Sequence, residues 1–147
     1  MIRKYLKRFL LCGFTGWGLE CFWTGLGSIL SGTDRTLPCH TSVWMFPIYG
    51  TAMFIVPISK HLKGKSILIR GGLYTILIFL TEFITGSILS FFHLCPWDYS
   101  QAKFQIHGLI RLDYAPAWFI TGLFFEKLLN ESHRLSLYKT VYDVKKK

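Results

Sequence analysis

The chain has 147 residues, 51% of them hydrophobic, and its 17 Lys and Arg against 8 Asp and Glu give a formal net charge of +9. This apolar excess argues against an ordinary soluble domain and excludes a disordered chain, a collagen and a disulfide scaffold. Apolar runs separated by basic clusters are typical of membrane spans joined by cationic cytoplasmic loops. Four spans of about 20 residues each would use most of the chain, so we expect residues 1–147 to form one membrane domain.

Four apolar stretches follow one another along the chain, separated by polar or basic segments. They predict transmembrane spans at about residues 9–30, 42–59, 71–93 and 112–129, followed by a basic tail over 130–147. Only helices and closed barrels satisfy their backbone hydrogen bonds inside lipid. The predicted fold class is therefore an all-α integral membrane protein with a four-transmembrane-helix bundle.

The basic residues predict the orientation of these spans, because Lys and Arg collect on the cytoplasmic face. Fourteen cations fall on one side: four at the N-terminus, four around the loop between the second and third spans, and six in the C-terminal region. The other side receives Arg35, Lys103 and Arg111. Both termini are therefore predicted to be cytoplasmic, in a plasma or cytoplasmic membrane. We expect the basic faces to meet anionic lipid head groups and not nucleic acid.

Two acidic residues, Glu20 and Glu82, lie in the middle of predicted spans, where a charged group is costly and therefore indicates function. Each follows a basic residue by 12 positions, Arg8 and Arg70 respectively, which places both carboxyls about 18 Å along a helix from the cytoplasmic cations. Small and hydroxyl residues recur at helical spacing around each glutamate, which favours the seam between helices. The alternative is that each Glu is protonated and only packs, hydrogen-bonded to a Thr, Tyr or Trp.

A weak internal repeat relates the two halves of the chain. Residues 20–25 resemble residues 82–86, and each of these spans is followed by one that carries a proline among aromatic residues. The repeat predicts two helix hairpins in the same orientation, related by an approximate two-fold axis along the membrane normal. Under that symmetry Glu20 and Glu82 face one another and would share a proton or hold a cation. Chance similarity is the alternative for matches this short.

The loop between the third and fourth spans carries Trp97, Asp98 and Tyr99, with Arg111 further on. One interpretation makes Asp98, near Arg111, the polar wall of a pocket open to the outer leaflet. The other makes the aromatic residues interface anchors and Asp98 the cap of a short turn, accepting backbone N–H groups. The sequence leaves both interpretations open.

Cysteine and histidine positions match no catalytic or metal motif. Cys12 and Cys21 are expected to pack within the first span, whereas Cys39 and Cys95 fall in outward loops and could form a disulfide in an oxidising compartment. The outward candidates for metal ligands are His40, His93, His107, Asp34 and Asp98. Because their spacing matches no metal motif, we expect neither a metal nor a cofactor. The sequence has no Walker motif, which excludes ATP hydrolysis by this chain.

An ordered series of short strings resembles a known family. The strings are Thr41-Ser42-Val43-Trp44, Pro47-Ile48-Tyr49-Gly50, Glu82-Phe83, Thr85-Gly86, Cys95-Pro96-Trp97-Asp98-Tyr99-Ser100, Gly108-Leu109-Ile110, Tyr114-Ala115, Trp118-Phe119 and Glu126. Over about residues 9–127 the chain is similar to the transmembrane protein 229 family and to the related bacterial family labelled type IV ABC-transporter permease. The resemblance implies a small multi-pass membrane protein with a transport partner, and no catalytic assignment. The family pattern is matched at Glu20, Tyr49, Gly50, Glu82, Gly86, Trp97, Asp98, Tyr99 and Gly108.

Three functions are consistent with these features. The first is a membrane binding or transport component in which Glu20 and Glu82 form a protonatable or cation-holding site; it predicts a homo-oligomer or another membrane subunit, because four helices enclose little space. The second is an intramembrane lipid-modifying enzyme with one glutamate as general base. The third is a structural or regulatory membrane protein without catalysis. The candidate binding residues are Glu20, Glu82, Asp98, Tyr99, Tyr49, Trp97 and Arg111.

Overall fold

The computed structural model describes residues 2–32 and 35–145, with side chains through residue 134 except at position 133. Its regular elements are helices joined by loops, plus one short hairpin, which confirms the all-α class. The elements are α1 (Ile2–Leu30), α2 (Met45–Gly50), α3 (Ile55–His61), α4 (Ile67–Phe91), β1 (Gln105–Ile106), β2 (Ile110–Arg111) and α5 (Ala115–Lys145), with 3₁₀ turns at Thr51–Phe54 and Leu112–Tyr114.

The second predicted span is interrupted: a 3₁₀ turn at Thr51–Phe54 separates α2 from α3. Pro57 lies in the first turn of α3. Proline has no N–H to donate to the carbonyl four residues earlier, that of Met53, and its ring crowds that carbonyl. The chain therefore tightens into 3₁₀ geometry just before the proline, and the single span expected at 42–59 is replaced by two short helices.

The fourth predicted span also differs from its expected bounds. Residues 112–114 form a 3₁₀ turn, and α5 begins at Ala115 with Pro116 in its first turn, where a missing N–H is tolerated. The helix continues for 31 residues to Lys145, so the backbone of most of the predicted basic tail is helical. Positions 146 and 147, and the side chains of the tail lysines from position 139 onward, lie outside the described residues.

The buried core joins four helices at one end of the molecule. Its members come from the first half of α1 and of α4, from α3 and from the middle of α5, so these segments meet near the turn between α3 and α4. The cluster comprises Cys12, Ile55, Val56, Tyr74, Phe125 and Leu129. Glycines allow the close packing around it, because a Cβ at Gly71 would overlap the ring of Phe119 and one at Gly122 the side chain of Tyr74.

The helices pack as two pairs: α1 lies against α2 and the following 3₁₀ turn, and α4 lies against α5. Few contacts join α1 to α5, so the bundle is open along that side. The predicted hairpins would pair α1 with the whole second segment, but its second half, α3, packs on α5, and α5 is continuous where the second segment is broken. The two-fold axis stays a prediction.

One helix of the described residues, Ile67–Phe91, is long and apolar enough to cross a membrane by length and composition. The α1 helix is as long, but its five glycines, two tryptophans and Glu20 lower its hydropathy. The second predicted span is divided into α2 and α3, and each of these helices is too short to cross a membrane. The four-span topology and the cytoplasmic placement of both termini therefore stay predictions.

Candidate functional site

A cavity of about 920 Å³ lies at the opposite end of the bundle from the core. Its wall is formed by the second half of α1, the segment 40–49, Glu82 of α4, three loop residues (Pro96, Trp97 and Tyr99), Tyr114 and the start of α5. Both Glu20 and Glu82 line it, although they belong to different helix pairs. The volume is in the range of sites that bind small molecules.

Glu20 is held by the segment that follows α1. The Thr41 hydroxyl donates a hydrogen bond of 2.7 Å to Glu20 Oε2. One helical turn further on, the His40 backbone N–H donates to Thr24 Oγ1 at 3.0 Å, and a Cβ at Gly25 would lie 3.3 Å from the Leu37 carbonyl oxygen. The segment 37–41 therefore lies directly on α1 and fixes the Glu20 carboxyl in the wall.

Glu82 has a different environment, because no hydroxyl among the described residues donates to it as Thr41 does to Glu20. The Trp118 indole of α5 lies near enough to interact with its carboxyl. Within the described part of the chain, however, neither Glu82 Oε2 nor Trp118 Nε1 has a hydrogen-bond partner, and both atoms are buried. The indole N–H and the carboxyl oxygen are therefore neighbours in the cavity wall that are not hydrogen-bonded to one another.

Tyr114 organises the aromatic end of the cavity. Its ring makes edge contacts with Trp23 at 6.0 Å, Tyr99 at 5.9 Å and Trp118 at 6.3 Å between centroids. Edge-to-face pairs at these distances are favourable beyond the area they bury. Burial also raises the pKa of the Tyr99 hydroxyl, so this hydroxyl stays protonated. The cluster links α1, the loop and α5 over the cavity.

Trp97 and Tyr49, two further candidate binding residues, also line the cavity. The Trp97 indole donates a hydrogen bond of 3.1 Å to the Leu109 carbonyl, and its ring lies where a Cβ on Gly86 would be only 3.0 Å away. The Tyr49 ring lies directly against Gly16 of α1. Two glycines therefore let aromatic side chains lie against helix backbones beside the cavity.

Asp98 lies outside the residues that line this cavity. Its Oδ1 accepts a hydrogen bond from the Ser100 backbone N–H at 2.8 Å, and its Oδ2 accepts one from the Ser100 hydroxyl at 3.0 Å. These contacts are the ones expected if Asp98 caps a short turn. Gly108, with φ +68°, brings the β1–β2 turn so close that a Cβ there would lie 3.0 Å from Asp98 Oδ1. Asp98 instead lines a separate cavity of about 360 Å³ with Trp97 and His107.

Arg111 is paired with Asp113, not with Asp98. Its guanidinium Nε and Nη2 donate to both Asp113 oxygens at 2.8–3.0 Å, its Nη1 donates to the Tyr114 hydroxyl at 3.1 Å, and its charge lies 4.4 Å from the Tyr114 ring centroid. Hydrogen bonding from Arg111 holds the pKa of Asp113 below its usual range. The interpretation that places Asp98 in one pocket wall near Arg111 therefore finds no ion pair between them, because Arg111 pairs with a carboxylate two positions away.

Glu126 is a further buried carboxylate, which the sequence did not single out as a charged site within a span. Glu126 on α5 is 6% exposed and forms a 3.1 Å ion pair with Arg70 at the start of α4, next to Tyr74 in the core. Arg70 had been counted among the cytoplasmic cations. The position of Glu126 within the fourth predicted span was the available signal, since a carboxylate there calls for a basic partner.

All four cysteines are free, so the Cys39–Cys95 disulfide is not present. Cys39 lies beside Cys21 of α1, because segment 37–41 lies on that helix. Among the described residues no group of three His, Cys, Asp or Glu side chains could hold a metal ion. Asp34, one of the candidate ligands, lies outside the described residues.

The all-helical fold and the strongly apolar α4 agree with a membrane-associated class of protein. A family model described as "Putative ABC-transporter type IV" matches residues 8–146. The chain belongs to this family. The match confirms the bacterial part of the resemblance, whereas the likeness to the transmembrane protein 229 family stays a prediction. A search of solved structures found no match.

Proposed function

We propose that this chain is a multi-pass membrane subunit that binds a ligand in the cavity between Glu20 and Glu82 as part of a transport system. One observation carries the proposal: two carboxyls from different helix pairs line the same cavity. A carboxyl inside a membrane protein is costly, so its presence indicates a binding or transfer step. The family match supports the transport setting.

The exposed apolar side chains support placement in a bilayer. The outer face of α4 presents Ile69, Ile76, Leu80, Ile84 and Ile88, each about half exposed or more. In water such a continuous patch would be unusual for a monomer, whereas lipid or another transmembrane helix would cover it. We propose that α1, the α2–α3 segment, α4 and α5 cross the plasma or cytoplasmic membrane with both termini cytoplasmic.

The proposed partners follow from the same arrangement. A second copy or another membrane subunit would complete the transport path, and a separate ATP-hydrolysing chain would supply energy in an ABC-type system. Anionic lipid head groups would meet the basic residues around the α3–α4 turn. In this scheme the chain contributes the binding cavity.

Complementation in a host lacking the native protein tests the role of the carboxyls. Glu20→Gln and Glu82→Gln keep the shape of each side chain and remove its charge. We expect wild type and Glu131→Gln, an exposed position outside the cavity, to restore the phenotype, and each cavity variant to fail at wild-type expression. Full restoration by both cavity variants would contradict the proposal.

Lipid extracts from the same strains test the alternative of a lipid-modifying enzyme. A transport component predicts the same lipid species with and without the protein. A defined lipid that disappears in the deletion strain and in Glu82→Gln would instead favour catalysis. If the lipids stay unchanged and the glutamine variants stay active, the structural or regulatory role is favoured.

A further inference from the structure

The described residues that line the cavity include two carboxyls and no Lys or Arg, although the whole chain carries a net charge of +9. The lining is mainly apolar, and a third of it is aromatic. The aromatic members are Phe22, Trp23, Tyr49, Trp97, Tyr99, Tyr114 and Trp118. Aromatic faces attract organic cations when water is excluded, so carboxyls and rings favour the same sign of charge.

The guanidinium of Arg111, which lies beside the aromatic cluster, does not neutralise this site. Arg111 lies against Tyr114, but it is not part of the lining. Its charge is matched by the two-oxygen contact with Asp113 at 2.8–3.0 Å. The Arg111–Asp113 pair therefore has no net charge to offer Glu20 or Glu82, and a ligand would have to bring the positive charge.

The two carboxyls differ in what they still require. Glu20 Oε2 already accepts the Thr41 hydroxyl at 2.7 Å. Glu82 Oε2 is buried without a partner among the described residues. A buried acceptor without a hydrogen bond costs its full desolvation free energy. An N–H donor from a ligand would satisfy it, whereas a quaternary ammonium has no N–H to give.

The shape of the cavity admits an apolar body as well as a charged head. Phe22 of α1 is 70% exposed and Ile120 of α5 is 68% exposed, and both line the cavity on the side where α1 and α5 make few contacts. The gap between these helices opens the cavity sideways, towards the lipid in the proposed membrane setting. A molecule that partitions into lipid could enter there.

We propose that the cavity binds a lipophilic organic cation with at least one ammonium N–H, its head at Glu82 and its hydrocarbon part against the aromatic wall. This proposal rests on the proposed function, since it names the ligand class of the same cavity. It favours protonated amines over quaternary ammonium ions, neutral alcohols and metal ions. Glu82 accepts the hydrogen bond, and Glu20 adds its charge to the site.

Binding of a matched series to the full chain in nanodiscs tests the proposal. The probes are dodecylamine, dodecyltrimethylammonium and dodecanol, followed by tryptophan fluorescence, because Trp23, Trp97 and Trp118 line the cavity. Empty nanodiscs correct for partition into lipid. We expect dodecylamine to bind at least tenfold more tightly than the other two probes. Glu82→Gln should weaken the amine at least tenfold and leave dodecanol unchanged, whereas Glu131→Gln should change neither.

The outcomes separate the ligand class from the cavity itself. Equal binding of the three probes, with no effect of Glu82→Gln, would overturn the amine proposal and leave a cavity that binds apolar molecules. Tighter binding of the trimethylammonium probe than of the amine would also overturn it, since the N–H would then have no role. If no probe changes the fluorescence beyond empty nanodiscs, both the amine proposal and ligand binding in this cavity fail.

Discussion

Thr41 and Glu20 join the segment after α1 to the wall of the cavity through a hydrogen bond of 2.7 Å between the Thr41 hydroxyl and Glu20 Oε2. This contact does two things at once. It fixes the position of a carboxyl that lies in an apolar surrounding, and it anchors the chain that leads into α2. The stability of the segment and the geometry of the site are therefore linked.

Thr41→Val should show this link, since it removes the hydroxyl and keeps the branched shape. We expect the free energy of unfolding to fall by roughly 1 kcal/mol, the usual contribution of one such hydrogen bond. Thermal unfolding in detergent micelles measures the change. Thr81→Val is the control, because the Thr81 hydroxyl bonds within its own helix, to the Leu77 carbonyl at 2.8 Å. Equal losses in the two variants would mean that the Thr41 contact has no special role.

Gly16 and Gly18 of α1 offer a matched pair for the packing of Tyr49. A Cβ at Gly16 would overlap the Tyr49 ring, whereas one at Gly18 would meet nothing within 4 Å. We expect Gly16→Ala to lower the free energy of unfolding by about 1–3 kcal/mol through overpacking. Gly18→Ala should leave it unchanged or raise it by up to about 1 kcal/mol. If both variants lower the melting temperature by the same amount, the result would contradict this packing of α1 against α2.

The ion pair between Arg70 and Glu126 should act as a unit. Arg70→Met leaves the buried Glu126 carboxyl without its partner. Breaking a fully buried pair on one side lowers the free energy of unfolding by up to about 5 kcal/mol. Because Arg70 is one-third exposed, we expect a smaller loss, of roughly 2 kcal/mol. Adding Glu126→Gln should recover part of the loss. A double-mutant cycle on unfolding measures the coupling. Strictly additive effects would show that the two groups do not interact.

The pH dependence of the loop around Arg111 has a defined direction. Because the pKa of Asp113 is lowered in the folded protein, its contribution to stability is present above the unfolded value of about 3.9 and is lost as pH falls through the lower folded value. Amide exchange, corrected for intrinsic rates, should show constant protection of residues 110–114 from pH 7 to about pH 4 and weaker protection below. Asp113→Asn should reduce the protection between pH 7 and about pH 4 and should converge with the wild type at lower pH, and an unchanged profile in this variant would contradict the prediction.

Cysteine labelling tests the proposed orientation in the membrane. In a background with serine at positions 21, 39 and 95, Cys12 is fully buried and should not react. Lys103→Cys, in the predicted outer loop, should then be labelled in intact cells by a membrane-impermeant maleimide. Lys63→Cys should be labelled only after the cells are broken. Labelling of position 63 from outside intact cells would reverse or disprove the topology.

The sequence predicted the helical class and the approximate position of three long helices, because apolar runs and their basic borders are local signals. It missed the break before Pro57, although the proline was visible, because an uninterrupted apolar run suggested one span. It also extended the fourth span back to Leu112, which lies in a 3₁₀ turn.

The candidate site was predicted in part. Residues Glu20, Glu82, Tyr49, Trp97 and Tyr99 line one cavity. The sequence predicted a shared depth for Glu20 and Glu82 alone, and named the three aromatic residues as candidates without placing them beside the glutamates. Asp98 and Arg111 do not line this cavity, because each is bound by a residue two positions away in the chain. Such short-range competition between polar groups depends on turn geometry, which neither spacing nor composition reveals.

The contact of Tyr49 with Gly16 bears on the thermodynamics of binding. A tyrosine side chain packed at its base against a glycine of the neighbouring helix has lost much of its torsional freedom during folding. A ligand that later touches this ring does not have to immobilise it, so its conformational entropy hardly changes on association. The missing side chain of Gly16 therefore makes this wall of the cavity preorganised. Calorimetry should find a smaller entropic penalty than a mobile aromatic wall would impose.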